Sequence, residues 1–176
     1  EFRRVLFRSL ISVYKPKLKW VNIDSLAPNA LMKQQFMSLN YDLVKAEHTY
    51  GDSRIDFYME KNGEKFLTEV KGCTLADDLH PGIGLFPDAP TERGVKHLHE
   101  LTKATKEGYR TAIAFVIQMN GIHRVLPNEA AQPEFKKALV EAAKAGVQIV
   151  CYSCHVEADR VKITSVTEDT SSYVNM

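Results

Sequence analysis

The sequence predicts an α/β fold, a mixed sheet flanked by helices, and three observations lead there. Asn62-Gly63 separates two alternating runs, the pattern of a β-hairpin closed by a type I′ turn, which needs φ > 0 at both central residues. Residues 111–119 (T-A-I-A-F-V-I-Q-M) are near-continuously apolar, as a strand covered on both faces requires. Strand, helix and strand then follow one another over 111–119, 133–145 and 147–154, which implies a right-handed parallel crossover.

Taken in order, the opening E-F-R-R-V-L-F-R-S (1–9) reads as a translated linker and stands outside the fold argument. Residues 10–23 carry Trp20 and a short apolar alternation interrupted by Lys15-Pro16-Lys17. A helix is expected over 28–39, with Leu31, Met32, Gln35, Phe36 and Leu39 on one side, then a strand over 43–49 closed by Tyr50-Gly51-Asp52. In the hairpin, Ile55, Phe57 and Met59 point one way on the first strand, and Phe66, Thr68 and Val70 do so on the second. The two-residue turn sets the register: Lys61 faces Glu64, Met59 faces Phe66, Ile55 faces Val70 and Asp56 faces Glu69.

Residues 73–87, with Asp77, Asp78, His80 and Pro81-Gly82, form a long connection, expected as a mobile loop or a lid over a site beside Lys71. The next helix, within 88–107, has Pro90 near its start and Gly108 past its end. Val95, Leu98, Leu101 and Thr105 make its core stripe, with Arg93, Lys96, His97 and Lys103 on or beside its polar flanks. The helix over 133–145 packs through Phe135, Ala138, Leu139 and Ala142 and stops at Gly146. A buried strand over 147–154 and a short edge strand over 161–164 follow, and the polar tail from Thr167 is expected to fray, 169–176 above all.

Composition bounds the function without naming it. A chain of 176 residues, 44% apolar and 26% charged, is enough for one domain with a substantial core. A net charge of +1 gives no global pull on nucleic acid, so any basic surface is local. No apolar run is long enough to span a membrane. Three cysteines suit a reducing cytoplasm rather than a disulfide framework. C-Y-S-C-H (151–155) matches the c-type haem attachment string, but it falls in a strand pattern, so buried thiols are expected.

The chemistry gathers on the hairpin. Two carboxylates opposed across an antiparallel pair stand with Cβ atoms roughly 5 Å apart, a destabilising arrangement unless something positive lies between them. A hard divalent cation such as Mg²⁺ fits, since it takes oxygen ligands from one or two carboxylates plus water and phosphate. Lys71, two residues from Glu69 on the same face, can orient a water or stabilise an oxyanion. The alternative is a surface charge ladder, with Asp56 diagonal to Lys71 and Arg54 diagonal to Glu69. Gln118, near the end of a buried strand, is either a core-edge amide or a weak site candidate.

The runs S-R-I-D-F (53–57), E-V-K (69–71) and F-P-D-A-P-T-E-R-G-x-K-H-L (86–98) resemble the sugar fermentation stimulation protein (SfsA) family, over about residues 22–168. The resemblance implies a restriction-endonuclease-like core over 28–168: helix, three-strand antiparallel meander, helix and strand, extended by a further helix and strands. The metal-dependent nucleases of that kind carry an Asp followed by Glu-x-Lys, which falls here on Asp56, Glu69 and Lys71, with Mg²⁺ (or Mn²⁺) held by Asp56 and Glu69. It also implies DNA binding of low sequence preference and a regulatory role in sugar metabolism. Arg93, Lys96 and His97, in the long shared run, are expected to contact phosphate, with Arg54 beside them. Relatives carry a separate oligonucleotide-binding barrel ahead of this core, of which 10–27 reads as a remnant or replacement. They also tend to carry a glutamate near Gln34, where this chain is neutral. Two functions follow: a metal-dependent phosphodiesterase acting on nucleic acid, or a catalytically inactive DNA-binding module on the same scaffold.

Overall fold

A computed structural model describes residues 11–176, so the reading of 1–9 as a linker lies outside the described residues. A hairpin of β1 (Ser12–Lys15) and β2 (Lys19–Asn22) leads into α1 (Ala27–Met37). The meander follows as β3 (Leu43–Tyr50), β4 (Ser53–Lys61) and β5 (Glu64–Cys73), all antiparallel. Two short strands, β6 (Leu75–Ala76) and β7 (Ile83–Phe86), precede α2 (Glu92–Lys106) and β8 (Arg110–Ile117). The chain ends in β9 (Arg124–Pro127), α3 (Pro133–Ala145), β10 (Gln148–Val156), β11 (Val161–Glu168) and α4 (Thr170–Val174).

Six strands form one mixed sheet in the order β11-β10-β8-β5-β4-β3, with β8 parallel to both β5 and β10. Its central strand explains the apolar run. Ile113, Phe115 and Ile117 pack with Leu98 and Leu101 of α2 and Phe135 and Leu139 of α3 on one face. Ala114 and Val116 pack with Met32 and Phe36 of α1 on the other. Apolar side chains on both faces are what a strand sandwiched between helices requires.

Local chemistry accounts for the element ends. Asn62 (φ 51) and Gly63 (φ 80) both take the left-handed conformation of the type I′ turn. Thr91 caps α2, its hydroxyl accepting from Gly94 N at 3.0 Å. Pro133 starts α3, and Gly146 ends it at φ 100.

The structure corrects three expectations. Residues 73–87 are not an irregular loop: β6 and β7 join β9 in a three-stranded sheet, and Phe86 packs on Phe115 and Phe135. The four residues of β9 end in proline and carry only a weak strand signal of their own; parallel pairing with β7 recruits them. The edge strand β11 runs on to Glu168. The tail does not fray from Thr167 but folds into α4, burying Tyr173, whose hydroxyl donates to Val125 O. Among the described residues no helix is long and apolar enough to cross a membrane.

Candidate metal and nucleic-acid site

The predicted register holds from Lys61↔Glu64 to Phe57↔Thr68, and there the β4–β5 ladder stops. Ile55↔Val70 and Asp56↔Glu69 are therefore not ladder pairs. Instead the Asp56 carboxylate enters the gap, and its Oδ2 accepts from Val70 N at 2.8 Å. Strict alternation breaks at the same point. Ile55 packs with Tyr58 and Leu67 in the α2-side core, whereas Phe57 and Met59 pack in the α1-side core. On the outer side of β4 the ladder to β3 skips Glu47 and Asp56, with Glu47 at φ 56. A strand that turns over in this way separates from its neighbour and opens the sheet between β4 and β5.

Glu69 lies on the α2 side of that opening and is 2% exposed. Its Oε1 accepts from Lys71 Nζ at 2.6 Å and from His97 Nδ1, while its Oε2 is buried without a hydrogen-bond partner among the described residues. A buried acceptor left unpaired costs roughly 1–3 kcal/mol, so this oxygen is the unusual atom of the site. Burial alone pushes the Glu69 carboxyl up, but the His97 hydrogen bond and the Lys71 charge outweigh it and hold the group below the usual carboxylate range. Asp56 moves the other way. Burial, then the neighbouring Glu69 carboxylate, push it up against the opposing effects of Val70 N–H, Asn29 and Lys71.

Asn29 was not among the expected residues. Its Nδ2 donates to Asp56 Oδ1 at 2.9 Å from the first turn of α1. Gln34, the helix position singled out from the sequence, is exposed and lines a shallow cavity against Val161, Lys162 and Ile163 of β11. The five-residue offset turns it away from Asp56. Proximity to Pro28 at a helix start is the only local signal that Asn29 carries; its partner is 27 residues away.

His97 needs correction as a surface residue. It is 3% exposed and bonded to Glu69, and Arg93 Nε approaches its Nε2 at 3.5 Å. The core side of α2 is accordingly Gly94, His97, Leu98, Leu101 and Ala104, with Val95 and Thr105 only half-buried. Arg93 and Lys96 are exposed, and Lys96 Nζ donates to Asp52 O at 3.0 Å in the β3–β4 turn. Arg54 is exposed and pairs with Glu47 at 3.7 Å, away from Glu69. The surface charge ladder therefore does not form: Glu69 is interior, and Arg54 has another partner.

Gln118 is 2% exposed, and its Nε2 donates to Asn22 Oδ1 at 2.6 Å and to Asp24 O at 3.1 Å. It ties the end of β8 to the N-terminal hairpin. Among the described residues no three His, Cys, Asp or Glu side chains are grouped to hold a metal. A cavity of about 740 Å³ lies between the N-terminal hairpin and the β6–β7 segment, and none of Asp56, Glu69 and Lys71 lines it. Cys73, Cys151 and Cys154 are free and buried, and burial pushes the Cys73 and Cys154 thiols up to about 12.

The site consists of two carboxylates from adjacent strands, a lysine between sheet and solvent, and a buried imidazole behind them. The family model "Sugar fermentation stimulation protein RE domain" matches residues 23–160. A sugar fermentation stimulation protein homolog of Desulfitobacterium hafniense (strain Y51) is 43% identical over 167 residues, 92% of this chain and 70% of that one. A homolog from Ruminiclostridium cellulolyticum is 43% identical over 163 residues, 90% of this chain and 70% of the relative. The structure of Pyrococcus furiosus SfsA in complex with Ca²⁺ superposes with a TM-score of 0.76 at 23% identity, over 89% of this chain and 69% of that one. The chain belongs to the sugar fermentation stimulation protein family.

Proposed function

We propose that this protein binds DNA with little sequence preference and carries a nuclease-like phosphodiesterase site, dependent on Mg²⁺ or Mn²⁺, on a restriction-endonuclease-like core. One observation carries the reading: Asp56 and Glu69 meet beside Lys71 where β4 and β5 separate, and Glu69 Oε2 has no hydrogen-bond partner among the described residues. The order helix, antiparallel meander, helix, strand supports it. So does the complex of Pyrococcus furiosus SfsA with Ca²⁺, since Ca²⁺ and Mg²⁺ are both oxygen-seeking cations.

The donor set fits such an ion. Carboxylate oxygens suit Mg²⁺ and Mn²⁺, and Asp56 and Glu69 would hold the ion, Glu69 through its free oxygen. When bound, the metal supplies Lewis-acid polarisation of a phosphate and a water of lowered pKa. The protein's own residues do the rest. Lys71, 16% exposed through its side chain, holds Glu69 in place and turns its remaining N–H groups toward a water or a phosphoryl oxygen. Arg93, Lys96 and Arg54 are exposed cations that bind backbone phosphates and carry no base code, hence the low sequence preference.

A second reading has its own observation. Both Asp56 oxygens and Glu69 Oε1 already have hydrogen-bond partners, and the α1 contribution is the neutral Asn29. That favours a DNA-binding regulator on the same scaffold that does not cut. A cleavage assay on single- and double-stranded DNA with Mg²⁺, Mn²⁺ or EDTA, using wild type, Glu69→Ala and Lys71→Ala, separates the two. Metal-dependent cutting lost in both variants is the expected result. No cutting, with salt-sensitive DNA binding unchanged in both variants, establishes the regulator instead.

A further inference from the structure

We propose that His97 is a positioning residue for Glu69: its Nδ1–H holds Oε1 so that Oε2 alone is offered to a divalent cation, with Arg93 fixing the imidazole tautomer. The inference deepens the cation-site reading above and rests on it.

The first ground is the asymmetry of Glu69. Lys71 and His97 both donate to Oε1, and among the described residues no donor reaches the buried Oε2. Charge compensation by itself is served equally well by donors spread over both oxygens. Crowding two donors on one oxygen and leaving the other bare fixes the carboxylate's rotation and reserves one lone-pair direction. Asp56 shows the contrast, with one neutral donor on each oxygen.

The second ground is the geometry of α2. Arg93 and His97 stand one turn apart, on the same side of the helix. A guanidinium carries donors only, so Arg93 Nε can meet His97 Nε2 only where that nitrogen offers a lone pair. The ring hydrogen is thereby left on Nδ1, directed at Glu69. Hydrogen-bonded partners behind a ligand that set its orientation are a general feature of metal sites, and losing one typically lowers metal affinity 10–100-fold. Because Arg93 also reaches solvent, the same residue that meets a phosphate sets the imidazole that holds the carboxylate.

The test is calorimetric titration with Ca²⁺ and Mg²⁺ of wild type, Glu69→Gln, His97→Leu, His97→Asn and His97→Gln, alongside ¹⁵N NMR of the cation-free wild-type imidazole. The expected result is an affinity loss of about 10–100-fold in His97→Leu. His97→Asn, whose amide reaches where Nδ1 stood, recovers most of that loss, and His97→Gln, whose amide reaches where Nε2 stood, does not. A structural role alone does not distinguish these two amides. The NMR spectrum shows protonated Nδ1 and bare Nε2 whether or not a cation binds, and it carries the test if His97→Leu does not fold. A protonated Nε2 with bare Nδ1 overturns the proposal. Unchanged cation affinity in His97→Leu, with binding lost in Glu69→Gln, also overturns it while leaving the cation site standing. A wild type that binds neither cation overturns the cation site itself, and this inference with it.

Discussion

Asp56 and Glu69 are neighbours whose ionisation is pulled in opposite directions, and that gives the protein a specific pH signature. Asp56 has a raised folded-state pKa, so its contribution to stability is full below the usual aspartate value and is lost as pH rises through the raised one. Glu69 has a lowered pKa, so its contribution is present above the usual glutamate value and is lost as pH falls through the lowered one. Without divalent cations, Asp56→Asn is therefore expected to gain stability relative to wild type as pH rises above about 4. Glu69→Gln is expected to lose its disadvantage on acidification below about pH 4. Urea unfolding midpoints across pH read both, and a gap that stays constant across pH for either variant refutes the corresponding assignment. Asn29 offers a complementary test. Asn29→Asp adds a third carboxylate against Asp56, which lowers the cation-free melting temperature by like-charge repulsion and strengthens Ca²⁺ binding. Thermal melts with and without Ca²⁺ check this: a variant as stable as wild type without the ion, or no better stabilised with it, contradicts the geometry.

Between elements, one close approach fastens the N-terminal hairpin to the edge of the site. A Cβ at Gly72, the residue after Lys71, would lie 2.9 Å from Pro28 Cγ and closer still to Gln118 Oε1. Gln118 in turn holds Asn22 and Asp24. Gly72→Ala forces these groups apart and is expected to cost about 1–3 kcal/mol, the usual range for overpacking. Denaturant unfolding measures the loss, and amide exchange at Val21 and Asn22 locates it; slow exchange preserved at both residues argues against the coupling. Docking of α4 is a second contact between distant elements. Tyr173 fills the α3 side of the core, so Tyr173→Ala is expected to destabilise by several kcal/mol, about 3–5 by analogy with other buried aromatics. A change below about 1 kcal/mol would return the tail to the frayed state expected from its polarity.

Across the molecule as a whole, β8 is where the fold is joined. It pairs in parallel with β5, which carries Glu69 and Lys71, and with β10, and it packs against helices on both faces. Amides of β8 are therefore expected to exchange at the global unfolding rate, with those of edge strand β3 exchanging faster through local opening. The sheet holds one half of the site in a rigid frame, while the opening between β4 and β5 supplies the other.

Much of this was legible in sequence, because the signals are local. Asn62-Gly63 dictates its turn by backbone sterics, the 111–119 run reports burial on both faces, and Pro133 and Gly146 bracket a helix. From the turn outward, the register follows by counting, which brings Asp56 to the neighbourhood of Glu69 and Lys71. Counting fails where the strand turns over, since periodicity assumes an unbroken ladder and Asp56 breaks it with its own carboxylate. Nor can periodicity reveal Asn29 or the buried side of His97, which meet their carboxylates across 27 and 28 residues of chain. β9 and α4 exist only because β7 and the α3-side core give them partners. Local sequence thus specifies most of the elements and which residues of the hairpin carry charge. Which oxygen of each carboxylate is engaged and which is left bare follows from packing, because hydrogen bonding at a buried atom depends on what the rest of the fold brings within about 3 Å of it.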